Sequence, residues 1–214
     1  MQSILRENGH DPGPKRGEGS WDQFLKSHAD TLWQCEFFST RILTRTGFRQ
    51  VFVLAFINVA TRRVIVSPST SQLRGGWMKV QTEAFFEQVK AEGLECKLVM
   101  RDNDTNYKIG FDHVVRTHGA IIHPTAIRAP NENAYIERFV QTIKQECLDH
   151  FLVFGEQHFN YLVREFVRYY HECRPHQGLE NQVIARVEPP PPVTGKVECE
   201  SRLGGMLKHY YRAA

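Results

Sequence analysis

The run from Phe48 to Asn58 constrains this chain most, because from Val51 onward it is nearly unbroken in Val, Phe, Leu and Ile. A strand that alternates apolar with polar residues needs cover on one face, whereas one that is apolar throughout needs a layer on both. Its neighbours read as its partners. Thr31 to Phe38 is a strand with Thr31, Trp33, Cys35 and Phe37 on one face and Leu32, Gln34, Glu36 and Phe38 on the other. Ala60-Thr61-Arg62 makes a turn, and Arg63 to Ser67 pairs back as a third strand, which completes an antiparallel meander.

Downstream the pattern alternates. A loop from Pro68 to Trp77 leads to a helix over Val80 to Ala91, stopped by Gly93, and Cys96 to Met100 returns as a strand parallel to its neighbour. Phe111 to Thr117 is a short helix, Ala120 to His123 a short strand, and Pro124 to Pro130 an extended loop. Asn131 or Asn133 is expected to cap the next helix, which reaches about Asp149 with Ile136, Val140 and Ile143 facing inward. A second long helix spans about Glu156 to Cys173. Upstream, Ser20 is placed to cap a short helix carrying Trp21, Phe24 and Leu25. The fold class is therefore α/β, a five-stranded mixed sheet of three antiparallel and then two parallel strands, flanked by helices. We expect a Pro/Gly-rich leader over residues 1–19, a core over 20–182, and a tail over 183–214 that contains Pro189 to Pro192.

Three acidic residues stand out against this frame. Glu36 lies within the first strand, between Leu32 and Phe38 on a partly apolar face, where an uncompensated carboxylate is costly. A metal ion or a positive side chain should offset it. Asp102 follows the fourth strand, at the sheet edge where α/β proteins place their chemistry. Glu137 comes 35 positions later, in the first turns of the long helix. Glu137, Gln141 and Lys144 follow at steps of four and three, so they share one polar helix face. Lys144, Arg128 and Arg138 are the candidate phosphate contacts, since positive side chains hold a nucleic-acid backbone without reading its sequence.

Composition adds limits rather than direction. A net charge of +3 over 214 residues is ordinary, so overall basicity gives nucleic acid little support. No apolar run is long enough to cross a membrane and no signal-type segment opens the chain, which makes the cytoplasm the expected compartment. Cys35, Cys96, Cys147, Cys173 and Cys199 form no close pairs and read as free thiols.

Arg101-Asp102-Asn103-Asp104, the run from Pro130 to Phe139 (PNENAYIERF) and the run from Tyr170 to Leu179 (YHECRPHQGL) together resemble the catalytic core of retroviral-integrase-like transposases of bacterial insertion sequences. The resemblance spans Trp21 to Gln182, and the order of elements resembles the ribonuclease H-like fold. It implies DNA strand cleavage and joining by an acidic triad, here Glu36, Asp102 and Glu137, with two Mg²⁺ ions, replaceable by Mn²⁺. It further implies DNA as partner and assembly as a homodimer or a higher homo-oligomer.

Two departures matter. The family's first acid is an aspartate, and this chain carries Glu36 within Cys35-Glu36-Phe37-Phe38. The helix-turn-helix that such transposases resemble having upstream does not precede Trp21 here, so a truncated reading frame or an excised core is expected. An alternative reading is a catalytically silent DNA-binding or dimerisation module derived from a transposase.

Overall fold

The computed structural model describes residues 21–108, 110–125, 130–185 and 194–213. The elements are α1 (Trp21–His28), β1 (Leu32–Thr44), β2 (Gly47–Asn58), β3 (Val64–Val66), α2 (Gly75–Ala91), β4 (Leu98–Arg101), α3 (Phe111–Thr117), β5 (Ile121–Pro124), α4 (Ala134–Glu146), α5 (Gly155–Glu172), β6 (Val197–Arg202) and β7 (Leu207–Arg212). The main sheet has the order β3-β2-β1-β4-β5. β1, β2 and β3 are antiparallel neighbours, while β4 runs parallel to β1 and β5 parallel to β4. This is the five-stranded mixed sheet that the apolar runs imply.

The strand from Phe48 onward does have two covered faces. Val51, Val53, Ala55 and Ile57 pack with Ile136, Phe139, Ile143 and Phe166 of α4 and α5. Leu54 and Phe56 point the other way, into a cluster with Phe85 of α2 and Phe111 and Val114 of α3. Phe56 stacks on Phe85 with ring centroids 3.8 Å apart.

Several boundaries differ from the sequence reading, each for a tertiary reason. β1 continues to Thr44 because its last residues pair with β2 out to Thr44↔Gly47, past the layers that bury its first half. α2 begins at Gly75 rather than near Val80. Its glycine start is stabilised by contact with the loop at Gly110, where φ is +96° and a Cβ would stand 2.5 Å from the Gly75 carbonyl oxygen. α4 stops at Glu146, and Leu148–His150 forms a separate 3-10 turn. Within the tail, β6 and β7 pair as a hairpin that rests on the core through buried Leu207. Arg202 pairs with Glu172 at 3.0 Å, and the Tyr169 hydroxyl donates to the Lys208 carbonyl. Ser20, expected as the cap of α1, lies outside the described residues.

Candidate active site

The sheet register sets two of the acidic residues side by side. β1 and β4 pair as Leu32↔Leu98, Trp33↔Val99 and Gln34↔Met100, and continuing that offset brings Glu36 level with Asp102 where β4 ends. Facing follows from alternation. Phe38 and Ile42 of β1 pack among α4 side chains, while Trp33 and Cys35 pack on the α2/α3 side, so Glu36 faces α4. On β4, Leu98 and Met100 cluster with Tyr135 of α4. Arg101 turns the other way to Asp112 of α3, which returns Asp102 to the α4 side. Glu137 stands in the first turn of that helix.

The charges register one another. The Glu36 carboxyl is pushed up to about 7, first by burial, then by the Glu137 and Asp102 carboxylates, with Lys144 partly opposing them. Its Oε2 is buried with no hydrogen-bond partner. Asp102 sits exposed at the rim. Its carboxyl is nevertheless raised, mainly by the protein packed around it and also by the Asp104 charge, against the Asp104 N–H that it accepts and the Arg101 charge. Among the described residues, however, no three His, Cys, Asp or Glu side chains stand close enough together to hold a metal ion. The carboxylates share an electrostatic neighbourhood without converging on one point.

Lys144 is half-buried near Glu36, and Arg138 is exposed on α4. Arg128 lies outside the described residues. Asp104 makes a turn: its Oδ1 accepts from both the Asn106 N–H and Nδ2 at 2.9 Å. Asn103 Nδ2 donates to the Thr125 carbonyl at 2.7 Å, tying the loop after β4 to the end of β5.

The cap of α4 corrects an expectation. Asn133 precedes the helix but makes no side-chain cap bond. Its Nδ2 donates instead to the Cys35 carbonyl at 3.2 Å. Gln34, fully buried on β1, does the capping, with Oε1 accepting the Tyr135 and Ile136 N–H groups at 3.0 and 3.2 Å. A second missed residue is Arg101, 4 % exposed, which donates to both Asp112 oxygens at 2.9 and 2.7 Å and to the Asp102 carbonyl at 2.7 Å. A third is Arg62, whose guanidinium lies 4.0 Å above the Tyr135 ring at the start of α4.

Known proteins agree with this layout. The simian T-cell lymphotropic virus intasome, solved in complex with PP2A regulatory subunit B56 gamma, superposes with a TM-score of 0.54 at 11% identity, covering 86% of this chain and 67% of that one. The HTLV-2 integrase catalytic core domain in complex with magnesium gives 0.52 at 11% identity, covering 72% and 93%. The family described as "Integrase core domain" matches residues 118–183. This chain has a retroviral-integrase-like core of the ribonuclease H-like superfamily. No curated protein sequence matches it. The stretch matched to the integrase core family holds Glu137, Arg138 and Lys144 but neither Glu36 nor Asp102, so those two rest on register and charge alone. No described helix of this integrase-like core is long and apolar enough to cross a membrane.

Proposed function

We propose that this chain is a DNA-handling core of the polynucleotidyl-transferase type, in which Glu36, Asp102 and Glu137 form the site for DNA strand cleavage and strand transfer. The observation that carries this reading is Glu36, a half-buried acid with one bare oxygen, raised by two neighbouring carboxylates. An all-oxygen set of that charge suits a hard divalent cation, Mg²⁺ or Mn²⁺. Two such ions, when bound, supply activation of the attacking hydroxyl and neutralise charge on the scissile phosphate. The chain's own contribution is positional. Arg101 fixes the backbone at Asp102, Gln34 ties the start of α4 to β1, and Lys144 offers an ammonium to a phosphate lying over the acids. Arg138 and Arg128 would hold DNA backbone nearby. The working unit would be a homodimer or higher homo-oligomer in the cytoplasm, with DNA ends recognised by a helix-turn-helix unit outside the core 20–182.

The second reading, a catalytically silent DNA-binding or dimerisation module, has its own specific support. The three carboxylates do not converge, and Glu36 is one methylene longer than the aspartate the resemblance calls for. For the chain as it stands this reading is the better supported, because a displacement of ~1 Å costs about 10²-fold in rate. The deciding experiment measures cleavage and joining of nicked and branched duplexes under Mg²⁺ or Mn²⁺, with Glu36→Asp beside the parent. Strand transfer predicts turnover in both, with Glu36→Asp faster by about 10²-fold. The silent module predicts that both folded proteins retard DNA on a gel and neither cuts it. Activity in Glu36→Asp alone assigns the defect to the extra methylene.

A further inference from the structure

Gln34 lies two residues before Glu36 on β1, points to the same side of the sheet, and is fully buried. A buried amide has to place both ends, and Gln34 places both on one short stretch of chain. Its Nε2 donates to the Glu132 carbonyl at 2.7 Å, and its Oε1 accepts the Tyr135 and Ile136 N–H groups. Those two are the second and third residues of α4, whose N–H groups have no carbonyl within the helix to bind. A cap residue normally meets them from the position just before the helix. Here the acceptor comes from a strand about a hundred residues upstream, so the start of α4 is fastened to the sheet rather than to its own leader.

Asn133 makes a second tie at the same place. Carbonyls alternate in direction along a strand. The Thr31 carbonyl accepts from Leu98 on β4 and the Leu32 carbonyl from Val59 beyond β2, which aims the Cys35 carbonyl toward the β4 side, beside Glu36. Asn133 Nδ2 occupies that carbonyl. Four hydrogen bonds thus lock residues 132–136 onto residues 34–35. Glu36 and Glu137 each follow one residue after the locked segments.

We propose that Gln34 is a positioning residue that sets the separation of Glu137 from Glu36, and so governs how tightly the acidic site takes a divalent cation. This rests on the reading of Glu36, Asp102 and Glu137 as that site. Gln34 touches neither substrate nor cation in this role. It acts through α4, which otherwise has an apolar face free to slide on the sheet.

The test is Mn²⁺ binding to the full chain, followed by the electron paramagnetic resonance of free Mn²⁺, with no DNA present. Gln34→Met, of similar size but without either polar end, is expected to weaken Mn²⁺ binding by about tenfold or more, as loss of a group that orients a metal ligand does. It should also release the Tyr135 and Ile136 amides to hydrogen exchange. In a Glu137→Gln background the same substitution should change Mn²⁺ affinity by less than twofold, since no Glu137 remains to be positioned. A purely structural role would instead lower the melting temperature and leave Mn²⁺ affinity unmoved, or weaken it equally in both backgrounds; either result overturns the proposal. Should Gln34→Met fail to fold, Gln34→Glu carries the test. It keeps the acceptor and the shape, so its Mn²⁺ affinity should equal or exceed the parent's, and a tenfold loss overturns the proposal. Failure of the underlying site looks different: the parent itself binds no Mn²⁺, or Glu137→Gln alone has no effect, and the positioning role falls with it.

Discussion

Asp112 and Glu36 are acids withdrawn from water on opposite sides of one sheet, and the fold treats them in opposite ways. Asp112, 7 % exposed, receives a two-pronged guanidinium from Arg101, so both of its oxygens are satisfied. Glu36 keeps an oxygen bare and stands among charges of its own sign. Only one residue of β4, Arg101, separates the two environments, since its side chain goes to Asp112 while its neighbour Asp102 joins Glu36. A protein that can neutralise a buried acid so completely on the α3 side could have done so on the α4 side. Leaving Glu36 unneutralised is what a site for an external cation requires, and what a purely structural acid avoids.

The largest expected effect comes from breaking the satisfied side. Arg101→Met strands the Asp112 carboxylate in the core and releases the Asp102 carbonyl, and removing one partner of a buried pair costs roughly 3–5 kcal/mol. Urea denaturation measures it. Arg101→Met combined with Asp112→Leu should recover most of that loss, because an apolar pair no longer strands a charge. A loss below about 1 kcal/mol for Arg101→Met alone would mean that the pair does not anchor β4, and the contrast with Glu36 would weaken.

The unsatisfied side should answer with the opposite sign. Glu36 has a folded pKa of about 7, above the ordinary glutamate value of 4.5. The folded form therefore holds its proton more tightly than the unfolded chain. Below pH 4.5 the carboxyl is protonated in both states and nothing is lost. As pH rises from 4.5 to 7 the unfolded state ionises first, so the parent loses stability across that window and the loss levels off above 7. Glu36→Gln should remove this loss. With the shift discounted for the part of the side chain that water reaches, the variant should be more stable than the parent by roughly 2 kcal/mol at pH 8 and about equal at pH 4. Metal-free urea titrations at the two pH values read this directly. A Glu36→Gln variant that is less stable at pH 8 would mean that the carboxylate is already neutralised within the protein, as Asp112 is.

How much of this was legible in the chain differs between the two sides for a physical reason. The sheet order could be read because apolar runs report burial locally, and the need to compensate Glu36 could be read because Leu32 and Phe38 flank it on the same face. The partners could not. Asp112 lies on a different element from Arg101, and the capping of α4 by Gln34 joins residues about a hundred positions apart. The local rule named Asn133 as a cap, reasonably, since an asparagine does precede the helix. Its amide was drawn off by the Cys35 carbonyl, a tertiary bond with no signature in spacing. The two glycines at 75 and 76 read as loop for the same reason: only the approach of Gly110 makes a glycine helix start useful.

Asp104 supplies the smallest and sharpest expectation, because it is the acid nearest in sequence to Asp102 and a natural rival for the cation. Its oxygen is already committed to Asn106, where it fixes the turn into Thr105–Lys108, and its N–H is committed to Asp102. In this respect it resembles Asp112 more than Glu36, though exposed enough for water to share the work. Asp104→Gly should therefore cost only the loss of a local turn bond, about 0.5–1 kcal/mol, and leave Mn²⁺ affinity within about twofold of the parent. The N–H that Asp102 accepts belongs to the backbone and survives the substitution. A loss of Mn²⁺ affinity of tenfold or more would place Asp104 among the ligands, and the division between satisfied and open acids would then run through the loop after β4 rather than between the two faces of the sheet.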